Sequence, residues 1–185
     1  FTFNHQIENS HIYAFEPFPD AYNALIENTS DLVASESVSC FNYGLGDYET
    51  DISVYKRENS LWNSLNNRVD SNHSNQGSVL VYVTTLDGFV KKYQIDYIDL
   101  LKIDVEGYEL EVLKGSEDLL KLKKVSTIIV EVGFIHEDKQ HTYFTDVNEY
   151  LNAIGYFLYG FYDQAIFPFQ KYSQLGYCNA LYVAF

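Results

Sequence analysis

The sequence predicts an α/β domain built on a mainly parallel, doubly wound sheet with an antiparallel edge at its C-terminal end. Three observations lead there. From His11 to Gly155, short apolar runs alternate with segments of helical period, the rhythm of successive βα units. Two of the apolar runs end in acids at a turn, Phe15-Glu16-Pro17 and Ile103-Asp104-Val105-Glu106-Gly107. In an open sheet of this kind ligands bind beyond the carboxyl ends of the strands, so these two turns are where chemistry is expected. Finally, two aromatic strand-like runs, Tyr156–Tyr162 and Asn179–Phe185, close the chain as a pair.

Taken in order, His11–Pro17 reads as a short buried strand stopped by Pro17 and Pro19. Glu16 at its tip stands where a Rossmann-like sheet hydrogen-bonds a ribose diol; a surface turn acid is the plain alternative. From Asp20, an expected N-cap, Ala21, Leu25 and Ile26 recur at helical spacing until Ser30. Ser37–Tyr43 is the next strand. It runs into the turn Gly44-Leu45-Gly46-Asp47, whose glycines would let backbone approach a nucleoside closely. No strand-G-x-G-x-x-G-helix pattern follows, so as a phosphate motif it is weak and a strand-end loop against a nucleoside is the better reading.

The rhythm breaks over about residues 50–90, where Asp51–Lys56 and Ser78–Thr85 predict an antiparallel hairpin insertion with a long Asn- and Ser-rich connection. Connections of that length often serve as lids or binding loops, and Trp62 within it either anchors the loop or covers a substrate. Leu86–Tyr93 predicts a short helix and Tyr97–Ile103 a strand. After Gly107 a helical pattern continues to Leu122, with a bend or close contact at Gly115. Val125–Val132 is nearly all apolar, as for a strand covered on both faces, with Glu131 near its tip and His136 beyond. Thr145–Gly155 predicts a helix with an acid at its start and a glycine stop. An irregular aromatic connection joins the two terminal strands.

The 185 residues suit one domain, 1–185, and 46% hydrophobic against 21% charged residues is an ordinary globular balance. Tyr 17 and Phe 13 are unusually many; rings fill cores first and line pockets second. A net charge of -14 repels phosphate backbones, which argues against a nucleic-acid partner. The basic cluster Lys121, Lys123 and Lys124 reads as a solvated helix end. Cys40 and Cys178 lie far apart without disulfide or metal spacing, and no run is long enough for a bilayer span. A cytoplasmic protein without a membrane partner is the expectation. Oligomeric state leaves no mark on the sequence.

Three segments now stand together: Tyr13-Ala14-Phe15-Glu16-Pro17, then Thr85-Leu86-Asp87, then Leu101-Lys102-Ile103-Asp104-Val105-Glu106-Gly107-Tyr108-Glu109 with Leu113-Lys114-Gly115. In this order they resemble the FkbM family of S-adenosylmethionine-dependent methyltransferases, over nearly the whole chain. The resemblance implies a Rossmann-like class I methyltransferase sheet whose last strand inserts antiparallel. It also implies S-adenosylmethionine as cofactor and O-methylation of a hydroxyl on a sugar, glycan or related polar small molecule. Glu16, beside Pro17, would bind both ribose hydroxyls; Phe18 would flank adenine; Gly46 and Asp47 would lie at its edge. Asp104 would face the methionine end or the acceptor. The family's first strand and its Asp-x-Gly-Ala-Asn loop should precede Tyr13 by about one βα unit, more than Phe1–His11 can hold. The sequence, which has no Met, is therefore read as truncated at its N-terminus, and a chain so cut would bind cofactor weakly.

Removal of the acceptor's proton has four candidates at neighbouring strand tips: Asp104, Glu106, Glu131 and His136. His136 has the best ordinary pKa for the task, although a lone loop histidine is commonly just solvated. Glu106 has a plain alternative as a first-turn acid of the following helix. Asp104 with Glu131 could hold a hard divalent cation, which two carboxylates on different strands support only weakly; no metal is assigned. The competing reading is a non-catalytic, methyltransferase-like binding module without the cofactor loop.

Overall fold

The computed structural model describes residues 10–55, 64–65, 78–169 and 172–185. Trp62 lies outside them. Among the described residues the strands form three sheets. In the first, β1 (Ile12–Phe15) and β2 (Val38–Phe41) run parallel, Ile12 opposite Val38. The second holds β3 (Gly44–Leu45), β4 (Thr50–Tyr55) and β5 (Ser78–Thr84) in the order β3-β5-β4, with β3 parallel and β4 antiparallel to β5. The third holds β6 (Ile98–Ile103), β7 (Val125–Gly133), β8 (Tyr156–Phe169) and β9 (Tyr172–Ala184) in the order β6-β7-β9-β8. There β6 and β7 are parallel and the C-terminal β9 inserts antiparallel between β7 and β8.

The antiparallel C-terminal strand and the hairpin at 50–84 agree with the sequence reading, but "mainly parallel" does not. Parallel ladders join β1–β2, β3–β5 and β6–β7, while antiparallel ladders join β4–β5, β7–β9 and β8–β9. The cause is the C-terminal hairpin, far longer than expected. Pairing continues through the segment read as an irregular connection, and register shifts after Leu158, Tyr162 and Ala165 absorb the unevenness of the ladder. The segment Gly44–Leu45, read as part of a turn, is also a short strand.

Helix α1 (Pro19–Asn28) starts on a proline, whose missing N–H is one of those a first turn leaves unpaired. Its N-cap is Phe18, so Asp20 sits inside the first turn and does not cap. Thr29 ends α1 by bonding Leu25 O through both its N–H (3.0 Å) and its hydroxyl (2.7 Å). The chain then restarts as α2 (Ser30–Ala34), a short helix the apolar pattern does not signal. Thr85 caps α3 (Leu86–Tyr93) by accepting from Gly88 N–H at 3.0 Å. Beyond β6 the helical segment splits at Gly115 into α4 (Glu109–Lys114) and α5 (Glu117–Lys121), and α6 (Phe144–Ala153) precedes the C-terminal hairpin. The Thr85-Leu86-Asp87 motif finds its purpose here. While Thr85 caps α3, the Asp87 carboxylate accepts from the N–H groups of Asp118 and Leu119, both at 3.0 Å, and so caps α5.

The main core lies between the helices and one face of the four-stranded sheet: Ile103, Ile128, Val130, Val132, Cys178, Ala180 and Tyr182 against Leu113, Leu120 and Leu151. Burial along β7 alternates, with Ile129 only half-buried, so β7 is covered on one face and not on two. On the other face Leu100, Lys102, Phe157 and Tyr159 are exposed. Likewise β1 is half-exposed where a buried strand is expected. A second, smaller core gathers Phe18, Val54, Leu65, Val81 and Val83. Lys123 is not a solvated helix end: its ammonium donates to the carbonyls of Ile154 and Gly155 and lies 4.5 Å from the Tyr156 ring centre. Both cysteines are free thiols, Cys178 in the core and Cys40 half-buried.

Candidate active site

The turn leaving β6 is the most constrained stretch of the site. Leu101 and Ile103 are drawn into the core, and the chain leaves the sheet at the exposed Asp104. It reverses through Glu106 (φ 54°) and Gly107 (φ 90°), two successive residues in the left-handed region. For a non-glycine residue that conformation costs about 1 kcal/mol and persists only where neighbours hold it. Here they do. The buried Glu109 carboxylate accepts from the N–H groups of Val105 (3.2 Å) and Gly107 (3.0 Å), and the Ser64 hydroxyl donates to Glu106 O. Glu106 therefore lies before α4, and the first-turn acids of that helix are Glu109 and Glu111.

Asp104 pairs with Lys102 at 3.0 Å. The same ammonium donates to Asn179 Oδ1 at 2.9 Å, and Asn179 Nδ2 donates to Asp163 at 3.0 Å, so a polar chain crosses the open face of the sheet. Burial, and then the charge of Glu131, push the Glu106 carboxyl up to about 7, with His141 pulling partly the other way.

Glu131 lies inside β7, opposite Asn179, and not at its end. Its histidine partner is His141, not His136. The His141 ring places Nε2 3.4 Å from Glu131 and Nδ1 2.6 Å from Asp138, and stacks on Tyr177 with centres 4.4 Å apart. Burial opposes its charge, but the hydrogen bonds to Glu131 and Asp138 outweigh burial and push the imidazole up to about 9. His136 is exposed and stacks on Tyr143 at 4.1 Å. Sequence reasoning missed His141 and Glu109; the Asp138-x-x-His141 spacing was the one local clue to the first. Among the described residues, no group of three or more His, Cys, Asp or Glu side chains is arranged to hold a metal ion.

At the tip of β1, Glu16 Oε1 accepts from Phe18 N–H at 2.9 Å, and burial raises the carboxyl's pKa. Asn42 Nδ2 donates to the carbonyls of Glu16 (2.9 Å) and Pro17 (3.3 Å), tying this turn to the end of β2. Phe18 is 5% exposed and its ring belongs to the smaller core, where it anchors the turn. Gly46 faces protein: a Cβ there would meet Val83 at 2.8 Å and Tyr108 at 3.0 Å, and a Cβ at Gly115 would meet Gly46 O at 1.8 Å. Asp47 beside it is exposed. The Glu16 and Glu106 turns are neighbours, since Leu65 packs in the Phe18 cluster, which Tyr108 also touches, while the adjoining Ser64 bonds Glu106.

A family model for the methyltransferase FkbM domain matches residues 3–158. The chain belongs to the FkbM methyltransferase family. This FkbM chain is 32% identical over 123 residues to the hexuronic acid methyltransferase AglP of Haloferax volcanii, covering 66% of the chain. It spans about half, 47%, of that relative's length. Its fold matches the crystal structure of methyltransferase FkbM from Methylobacillus flagellatus KT with a TM-score of 0.54 at 14% identity, over 94% of this chain and 36% of the other.

Proposed function

We propose that this FkbM domain serves an S-adenosylmethionine-dependent O-methyltransferase whose acceptor is a hydroxyl of a sugar, glycan or related polar metabolite. The observation that carries the reading is the meeting of carboxyl groups where the turn after β6 faces Glu131 of β7, one of them, Glu106, poised at about 7. A hydroxyl must lose its proton as it becomes methylated, and a base near neutral pKa is the group suited to take it. The name of the Haloferax relative supports a sugar acceptor.

S-adenosylmethionine, when bound, supplies the electrophilic methyl group. Glu16 suits its ribose, because the half-buried carboxylate uses one oxygen on Phe18 N–H and has no hydrogen bond to its other oxygen among the described residues. Pro17 shapes that turn, with Gly46 and Asp47 nearby through Tyr108, and Phe18 secures it from the core side. Asp104 lies toward the methionine end or the acceptor, with Lys102 holding its carboxylate in place. Glu106 takes the hydroxyl proton. Burial, with the charge of Glu131, keeps Glu106 protonatable near neutrality, and His141 fixes Glu131. His136, exposed, is a candidate for contact with the acceptor.

Methyl transfer from isotopically labelled S-adenosylmethionine to a panel of sugars tests the reading. Glu16→Ala is expected to weaken cofactor binding at least about ten-fold, the effect of losing one charge-assisted pair of hydrogen bonds. Asp104→Ala is expected to abolish turnover. Cofactor binding unchanged in Glu16→Ala refutes the site assignment. Calorimetry with no cofactor heat in a protein that includes the whole family domain refutes the enzyme reading and favours the binding module.

A further inference from the structure

Glu109 is a carboxylate with 0% exposure, deep in the molecule at the start of α4. No cation meets it. Instead four neutral donors do: Val105 N–H at 3.2 Å and Gly107 N–H at 3.0 Å on Oε1, Thr142 N–H at 3.1 Å and Thr142 hydroxyl at 2.6 Å on Oε2. One oxygen thus faces the turn after β6 and the other faces the loop after β7, 33 residues away in the chain. Burying a carboxylate is costly, and replacing it by an apolar residue would ordinarily be tolerated if packing were all it provided. Four converging donors demand an acceptor-only group, however, and glutamine would turn an N–H₂ toward one pair of them.

What Glu109 joins gives the interaction its meaning. On one side the two residues with positive φ, Glu106 and Gly107, need an external hold. On the other, Thr142 follows His141 directly, and Thr142 O accepts from Gly133 N–H at 2.9 Å, so the loop is clamped between β7 and Glu109. We infer that Glu109 is a positioning residue, a strut that fixes the Glu106 turn at a set distance from Glu131 and His141. This rests on the reading of Glu106 as proton acceptor given above. The groups that bear on Glu106 are Glu131, His141, Asp104 and Glu109 itself; Glu131, Asp104 and Glu109 raise its pKa and His141 lowers it. Loss of the strut lets the turn open to water, which removes the burial that keeps Glu106 high.

Two variants test this, Glu109→Gln and the milder Thr142→Val, which deletes one donor and leaves the carboxylate in place. The readout is the Glu106 carboxyl titration by carbon-13 NMR, alongside the pH profile of methyl transfer. The wild type is expected to titrate near 7, Thr142→Val measurably lower, and Glu109→Gln lower by about one unit or more. The rate at pH 7 is expected to fall about ten-fold or more as the geometry loosens. Because the charge of Glu109 by itself raises Glu106, Thr142→Val, which keeps that charge, is the deciding variant: a folded Thr142→Val in which Glu106 titrates where it does in the wild type overturns the inference. A folded Glu109→Gln that loses rate with the Glu106 titration unmoved overturns it as well. A wild type without methyl transfer strikes the proton-acceptor reading alone, since the NMR titration still decides whether Glu109 sets the environment of Glu106.

Discussion

Gly115→Ala separates two opposed expectations by sign. Gly115 has φ −71° and ψ 0°, which alanine adopts readily, and at a helix junction alanine is worth about 1 kcal/mol over glycine. Backbone preference alone therefore predicts stabilisation. The added Cβ, however, would lie 1.8 Å from the Gly46 carbonyl oxygen, where ordinary contact is 3.4 Å or more. Neither side can yield freely. Gly46 N–H donates to Thr84 O at 2.9 Å, Asp87 N–H donates to Gly115 O at 3.0 Å, and Gly115 N–H donates to Glu111 O at 3.0 Å. Overpacking of this kind costs about 1–3 kcal/mol, and straining one of these hydrogen bonds adds about 1 kcal/mol. After the backbone gain, a net loss of about 1–3 kcal/mol remains, a sizeable part of a typical stability of about 5–15 kcal/mol. For a chain of this size that lowers Tm by about 2–12 °C. Urea denaturation and thermal melting measure it, and a Gly115→Ala protein as stable as wild type or more so refutes the close approach of the two turns.

Two further outcomes follow from buried groups. His141 titrates about 9 when folded against 6.5 for the free side chain, so its stabilising contribution is complete below about pH 6.5 and is lost as pH rises through 9. The unfolding free energy from urea denaturation should therefore fall across that window, by up to about 1–3 kcal/mol, and His141→Asn should flatten the slope; an equal slope in the variant counts against the Glu131–His141–Asp138 assignment. Tyr156 is fully buried and its hydroxyl donates to Val125 O at 2.6 Å, tying β8 to the first residue of β7. Tyr156→Phe should cost about 1–2 kcal/mol in chemical denaturation, and no change would mean that the carbonyl finds another donor.

The parts of this fold that were legible in the sequence are those with local causes. The acid-tipped turns after β1 and β6, the helix at Leu86, the break at Gly115 and the antiparallel end all follow from period, proline and glycine within a few residues of one another. What was not legible depends on partners distant in sequence. Glu109 finds Thr142 at a separation of 33 residues, Lys123 finds the Ile154 carbonyl at 31, and Ser64 finds Glu106 at 42, none of which leaves a periodic trace. The family resemblance would set Phe18 beside adenine, yet the apolar residues of the hairpin insertion, Val54, Val81 and Val83, pack its ring into the smaller core. His136 and His141 have similar local surroundings in the sequence. Only the fold of the loop after β7, returning to pair Gly133 with Tyr143, decides which one meets Glu131.

The one-sided covering of the β6-β7-β9-β8 sheet carries a consequence for how the sequence can vary. Inward positions such as Ile103, Ile128, Val130, Val132 and Tyr182 are 2% exposed or less, so each accepts few replacements. Their immediate neighbours Thr127 and Ile129 point the other way, half-buried, and can drift in size and polarity as long as they keep the strand pairing, whereas Lys102 on that face is kept by its bonds to Asp104 and Asn179. Tolerance to substitution along these strands therefore beats with a period of two residues, and Glu131 and Asn179, on the permissive face, are held to their identities by their polar contacts and not by packing.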